Sequence, residues 1–82
     1  MSDVETPLEA IIDVRVIPRF ERHRLIFGTF ERLGPGDALV IVNDHDPIPL
    51  SVHFEARYCE AFSWLYLERG PDVWRVRIGR TG

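Results

Sequence analysis

The chain has 82 residues, 45% hydrophobic and 28% charged, with a formal net charge of −3 from 10 basic and 13 acidic side chains. This length holds one domain with a modest core, and the apolar content excludes an intrinsically disordered chain. The acidic balance argues against a general nucleic-acid binder, whose affinity rests on neutralising phosphates, so we expect no nucleic-acid partner.

The cellular compartment is indicated by the cysteine usage and the amino terminus. The sequence carries one cysteine, Cys59, so no internal disulfide can form and nothing marks a secreted protein. The amino terminus is acidic and lacks the basic and apolar regions of a signal peptide. No apolar run approaches the roughly 20 residues that span a bilayer. We therefore expect a cytoplasmic protein that makes no membrane contact.

The first part of the chain predicts a tail, a strand and a helix. Residues 1–10 are polar and predict a flexible tail, and residues 11–80 predict a single domain. Segment 11–16 is rich in β-branched residues and favours a strand, which Pro18 ends. Apolar side chains recur at helical spacing over residues 19–33, and a glycine–proline–glycine run then ends the helix.

A second strand and a second helix follow. The continuous apolar run 38–42 is typical of a strand covered on both faces. Asp46 before Pro47 is typical of a helix N-cap followed by proline in the first turn. The helix itself is predicted over residues 49–59.

The last part of the chain predicts a β-hairpin, which completes the order of elements and so the predicted fold. Residues 61–68 and 73–78 alternate along their length and are joined by a short turn. The order is therefore strand–helix–strand–helix–strand–strand, with the first two strands parallel and the last two antiparallel. Right-handed crossovers place both helices on one face. We predict an α+β two-layer sandwich with a four-stranded mixed sheet.

One face of this sheet remains uncovered in the predicted fold. Either Leu65 and Leu67 or Trp64 and Tyr66 lie on it, depending on the register of the strand. An apolar patch of this kind indicates a protein partner or a homodimer. The alternative is that loops or the tail cover it.

Polar side chains converge where the two parallel strands end, which is where ligands bind in open sheets of this kind. Each strand leads into a helix N-terminus, which favours anions. The candidate ligand-binding residues at this edge are Arg19, Glu21, His23, Asn43, Asp44, His45 and Asp46.

Three interpretations of this edge compete. In the first, His23 and His45 bind zinc or iron together with one or more of Asp44, Asp46 and Glu21, because imidazole and carboxylate suit those metals. In the second, the basic groups and helix termini hold a small anion or an acidic partner. In the third, the acidic residues are turn and cap residues and His45 hydrogen-bonds within its loop.

Other polar residues offer weaker candidates. Cys59 falls late in the second predicted helix, away from this edge, and is typical of a packing residue. His53 precedes an apolar helix position and is interpreted as a flanking residue. The sequence has no Ser/His/Asp grouping, glycine-rich phosphate loop or Cys-x-x-Cys motif, so no catalytic residue is identified and an enzyme is the less favoured interpretation.

Several motifs together resemble the bacterial domain-of-unknown-function family 2249, over about residues 11–79. The more specific ones are Glu21-Arg22-His23 and Asn43-Asp44-His45-Asp46-Pro47. The family has no settled biochemical role. Some members are fused to hemerythrin-like domains, which implies hemerythrin-like or redox partners in respiration or nitrogen-oxide metabolism.

That family is similar in fold to the TusA/SirA-like sulfur carriers, whose Cys-Pro-x-Pro motif carries a persulfide. The corresponding stretch here is Val16-Ile17-Pro18-Arg19, which has no cysteine. A persulfide needs a thiolate, so the resemblance does not imply a cysteine-dependent sulfurtransferase.

The leading hypothesis is a binding or accessory module that holds a small ligand, metal or partner at the edge formed by the two helix N-termini. One alternative is a metal- or histidine-dependent enzyme or a redox partner. The other is an interaction domain that acts through the open sheet face.

Overall fold

The computed structural model describes residues 9–82, which form a four-stranded sheet with two helices against it. The strands are β1 (Glu9–Asp13), β2 (Ala38–Asn43), β3 (Phe62–Arg69) and β4 (Trp74–Arg80), and the helices are α1 (Arg19–Arg32) and α2 (Ile48–Tyr58). The predicted α+β fold and its element order are confirmed. Of the predicted tail, residues 1–8 lie outside the described part of the chain. No helix within residues 9–82 is both long and apolar enough to cross a bilayer.

The first strand differs from the predicted segment 11–16. It begins at Glu9 and ends at Asp13, after which Val14–Val16 form a turn of 3₁₀ helix. The Asp13 carboxylate accepts a hydrogen bond from the Arg15 backbone N–H at 3.1 Å and pairs with the Arg15 guanidinium at 2.8 Å. These local bonds compete with the strand ladder, so the predicted end of the strand is wrong.

The sheet has the order β1-β2-β4-β3, so the last strand in the chain lies between two earlier ones. β1 and β2 are parallel, and β4 is antiparallel to both of its neighbours, as predicted for the hairpin. One row across the sheet joins Ile12, Ile41, Val76 and Tyr66. Since β1 and β2 are parallel and each leads into a helix, their carboxyl ends and the two helix N-termini meet at one edge.

The core lies between the helices and one face of the sheet. Phe30 and Phe54 are fully buried, and their rings meet edge to face with centroids 5.1 Å apart. Phe27 stacks on Phe54 at 4.8 Å, so aromatic side chains form the seam between α1 and α2. Burial of these rings stabilises the packing of each helix on the other, since each buried aromatic contributes a large apolar area.

The other face of the sheet carries exposed apolar side chains between ion pairs. Leu65 is 55% exposed and Leu67 is 40% exposed, whereas Trp64 and Tyr66 pack against the core. Of the two registers that the sequence allows, the leucines therefore lie outward. A β-bulge interrupts the pairing between Tyr66 and Glu68, which leaves Leu67 without a partner on β4.

Candidate functional site

A cleft of about 260 Å³ lies where the two parallel strands end and the two helices begin. Apolar side chains from three elements line part of it, namely Val14, Ile26 and Leu50. Its polar lining consists of Arg19, Arg22, His23, Asn43 and His45. Ligand sites commonly combine an apolar lining with a few convergent polar groups, and this volume suits a small molecule or ion.

Both helices begin at this cleft without a side-chain cap. The N-cap residues are Pro18 and Pro47, neither of which has a side chain that can accept a hydrogen bond. The predicted N-cap, Asp46, is wrong: its carboxylate instead accepts a hydrogen bond from the Tyr66 hydroxyl at 2.6 Å. The Glu21 N–H donates to the Pro18 carbonyl and the Ile48 N–H to the Asp46 carbonyl. The first-turn N–H groups left to water or to a ligand are those of Arg19, Phe20 and Leu50.

Asn43 is the buried polar residue of the described chain, with 7% of its surface exposed. It ends β2, and its Oδ1 accepts a hydrogen bond from the Asp44 backbone N–H at 2.8 Å. Within residues 9–82, the Asn43 Nδ2 donates to no other group. A buried donor without a partner costs about 1–3 kcal/mol, so this amide favours an acceptor in the cleft.

Two arginines of α1 supply positive charge to the cleft. Arg22 donates from Nε to the Ile17 carbonyl at 2.9 Å, which fixes its guanidinium beside the loop. Arg19 is the first residue of α1, and its guanidinium forms no hydrogen bond or ion pair with any described residue. The charge of Arg19 is therefore available to a ligand.

His45 and Asp44 form an exposed pair at the mouth of the cleft. The His45 Nδ1 lies 2.7 Å from the Asp44 carboxylate. The hydrogen bond from His45 is the main reason that the pKa of Asp44 lies below its usual value, and the positive charge of Arg22 adds to the effect. The Asp44 carboxylate is thus already engaged, and the cleft keeps its positive character.

His23 lines the cleft and also contacts α2. Its ring centroid lies 4.9 Å from that of His53, with the two rings nearly perpendicular. Burial lowers the pKa of His23, and the neighbouring His53 lowers it further. His23 therefore stays neutral over a wider pH range than a histidine with the ordinary pKa.

The structure gathers some of the predicted site residues and separates others. Four of the seven line the cleft: Arg19, His23, Asn43 and His45. Asp44 reaches its mouth through the pair with His45. Asp46 is bonded to Tyr66 on β3, and Glu21 lines a separate surface groove along α1.

Two residues near the cleft are not among the candidate ligand-binding residues chosen from the sequence. Arg22 stands beside His23 in the first turns of α1, so its position at the edge was readable from the sequence. His53 precedes the core residue Phe54 and lies on the side of α2 that faces α1. Helical periodicity alone places His53 near the boundary of the buried stripe without showing which neighbour it meets.

The four residues of the predicted zinc or iron site do not come together as one ligand set in the described structure. Among residues 9–82 there is no group of three or more His, Cys, Asp or Glu side chains placed to hold a metal ion. His23, His45, Asp44 and Asp46 are therefore not gathered as one ligand set. Cys59 is exposed at the C-cap of α2, at the opposite end of the helix from the cleft.

Comparison with known proteins covers most of the chain. A family model described as an uncharacterized conserved protein, DUF2249, matches residues 11–80. No curated protein and no solved structure matches the chain. On the extent of that match, the chain belongs to the DUF2249 family.

Proposed function

We propose that this chain is a binding or accessory module, rather than an enzyme, whose cleft holds a small anion such as a carboxylate or a phosphate. The observation that carries the proposal is the buried amide of Asn43. Its Nδ2 has no partner among the described residues, and Asn43 lines a cleft walled by guanidinium and imidazole groups.

The charge of the cleft supports an anion over a cation. Its described lining holds two guanidiniums and two imidazoles and no carboxylate. The two helix N-termini, neither of which has a side-chain cap, add partial positive charge and the N–H groups of Arg19, Phe20 and Leu50 at the same place. A carboxylate or phosphate oxygen would accept from Asn43 and from Arg19 at once, forming the charge-assisted bonds that are stronger than neutral ones.

The composition of the lining supports binding over catalysis. Side chains that commonly act as nucleophiles, namely serine, threonine and cysteine, are missing from the described lining. The cleft is also open and small, which offers little exclusion of water around a reacting group. These features suit reversible capture of a ligand.

A titration with sodium phosphate and sodium acetate tests the proposal, with Arg19→Gln as the variant and Arg24→Gln as its control. Arg24 lies on the same helix and does not line the cleft. We expect Arg19→Gln to weaken anion binding by about tenfold or more, as for loss of a charged hydrogen bond, and Arg24→Gln to leave it unchanged. Equal binding in both variants, or no saturable binding of either anion, would refute the proposal.

The proposal extends to the setting of the protein. We propose a bacterial cytoplasmic protein with a TusA/SirA-like fold, which acts with a hemerythrin-like or redox partner. The element order and the position of the cleft at the start of α1 support this likeness. Because Val16-Ile17-Pro18-Arg19 holds no thiol, the chemistry of such a module would differ from persulfide transfer.

The open sheet face supports a second candidate function, the docking of a protein partner or a second copy. Ile11, Leu65 and Leu67 are exposed there, with Ile11 71% exposed. The ion pair between Arg77 and Glu9 lies on the same face, with a separation of 2.8 Å. If this face pairs two copies, Leu65→Ser will lower the sedimentation coefficient at high protein concentration, whereas an unchanged monomer in both proteins would exclude the homodimer.

A further inference from the structure

His23 and His53 approach each other across the seam between α1 and α2. Their ring centroids lie 4.9 Å apart and their planes meet at 82°. No hydrogen bond joins the two rings within the described structure. Both side chains are exposed, so each imidazole can turn about its terminal side-chain torsion, which has a broad energy minimum.

The distance between the rings fits two ligands of one metal ion. With a metal–nitrogen distance of about 2.0–2.1 Å and a nitrogen about 1.1 Å from its ring centre, each centroid would lie about 3.2 Å from the metal. Two such rings at an angle between 90° and tetrahedral would have centroids about 4.5–5.2 Å apart. The observed 4.9 Å falls within this interval.

We propose that His23 and His53 are the two protein ligands of an exposed site for a late first-row divalent ion, Zn²⁺ or Cu²⁺, with water completing the coordination. Imidazole is a preferred ligand of both ions. The site differs from the metal site predicted from the sequence, because His53 on α2 takes the place of His45 and the two aspartates. It shares His23 with the lining of the anion cleft, but neither Asn43 nor Arg19 takes part in it.

The electrostatic surroundings set the expected strength of this site. Arg57 lies over the ring of Phe27 at 4.4 Å and pairs with Glu31 at 3.1 Å, so a positive charge stands near the seam. That charge opposes a divalent cation, and two protein ligands bind less tightly than three or four. We therefore expect micromolar rather than nanomolar affinity.

Edge-to-face packing of the two rings explains the same distance without a metal, since aromatic centroids commonly lie about 4.5–7 Å apart. The two explanations differ in what happens when metal is added. Packing alone predicts no saturable binding that depends on both rings. A metal site predicts one equivalent of bound ion, lost when either ring is removed.

Isothermal titration of the full chain, purified without a histidine tag, with Zn²⁺ and with Cu²⁺ distinguishes these explanations. Even the loss of an outer-shell partner commonly weakens a metal site by about 10–100-fold. Because His23 and His53 are proposed as direct ligands, His23→Gln and His53→Gln should each weaken binding by about tenfold or more. His45→Gln removes the third histidine and should leave it unchanged, and Mg²⁺ should not bind. Circular dichroism of each variant checks that the fold is retained.

The result that overturns the proposal is equally specific. Zn²⁺ and Cu²⁺ binding that is absent in the unmodified chain, or equal in the unmodified chain and the His23→Gln/His53→Gln double variant, would leave the pair as a packing contact. Loss of binding in His45→Gln to the same degree would also overturn it. Arg19→Gln should retain metal binding, which separates this outcome from a failure of the anion cleft.

Discussion

Replacing Asn43 by leucine should stabilise the fold while it weakens the cleft. Leucine has a similar shape and fills the same buried position without a polar atom. Removing the unpaired Nδ2 donor relieves about 1–3 kcal/mol, and losing the bond to the Asp44 N–H costs about 0.5–1.5 kcal/mol. The free energy of unfolding should therefore rise by about 1 kcal/mol, which corresponds to an increase in Tm of about 4–8 °C for a domain of this size.

Thermal and urea denaturation of Asn43→Leu, followed by circular dichroism, measures this change, and a phosphate titration of the same sample measures binding. The expected combination is higher stability with anion binding reduced. A variant that is less stable than the parent by 1 kcal/mol or more, on the order of a lost and uncompensated hydrogen bond, would show that Asn43 serves the fold. The inference that its amide is kept for a ligand would then be refuted.

Three further predictions concern the surroundings of the cleft. Tyr66→Phe should lower the free energy of unfolding by about 1–3 kcal/mol in urea denaturation, because it removes the hydroxyl that donates to Asp46; an unchanged urea midpoint would contradict this. Burial lowers the pKa of His23 below its ordinary value of 6.5, so the unfolded chain takes up the proton more readily. The stability that neutral His23 contributes is thus present above pH 6.5 and is lost as the pH falls from there through the folded-state pKa, and His23→Gln should show a smaller loss of stability on acidification. Phe54→Ala should cost about 3–5 kcal/mol, measured by the same method, because the ring is fully buried among other aromatic side chains.

The fold was predictable where the hydrophobic pattern of a segment is typical of only one kind of secondary structure. The apolar run of β2 and the helical spacing of Ile26, Phe27 and Phe30 each allow one interpretation, and the predicted elements formed. The end of β1 was not predictable, because the bonds between Asp13 and Arg15 depend on local geometry rather than on hydrophobicity. The position of β4 between β2 and β3 depends on long-range pairing that periodicity does not encode.

The location of the candidate site was predictable from the sequence, whereas the residues that line it were only partly predictable. Parallel strands that lead into helices place the cleft at their carboxyl ends, whatever the side chains are. Which side chains enter it depends on their direction. Asp46 turns to Tyr66 and Glu21 lies on a different surface of α1, although both are close to the cleft in sequence. His53 comes close to His23 only because α2 packs against α1.

The bulge at Leu67 has a consequence for how copies of this chain can meet. β3 is an edge strand, and a long regular edge is a template onto which another strand can add. The unpaired residue between Tyr66 and Glu68 breaks the regular spacing of hydrogen-bonding groups along this strand. Growth of the sheet from copy to copy is therefore obstructed at its β3 edge. The homodimer proposed above would therefore use side-chain contact across the open face, and such a contact would close as a pair instead of extending into a fibre.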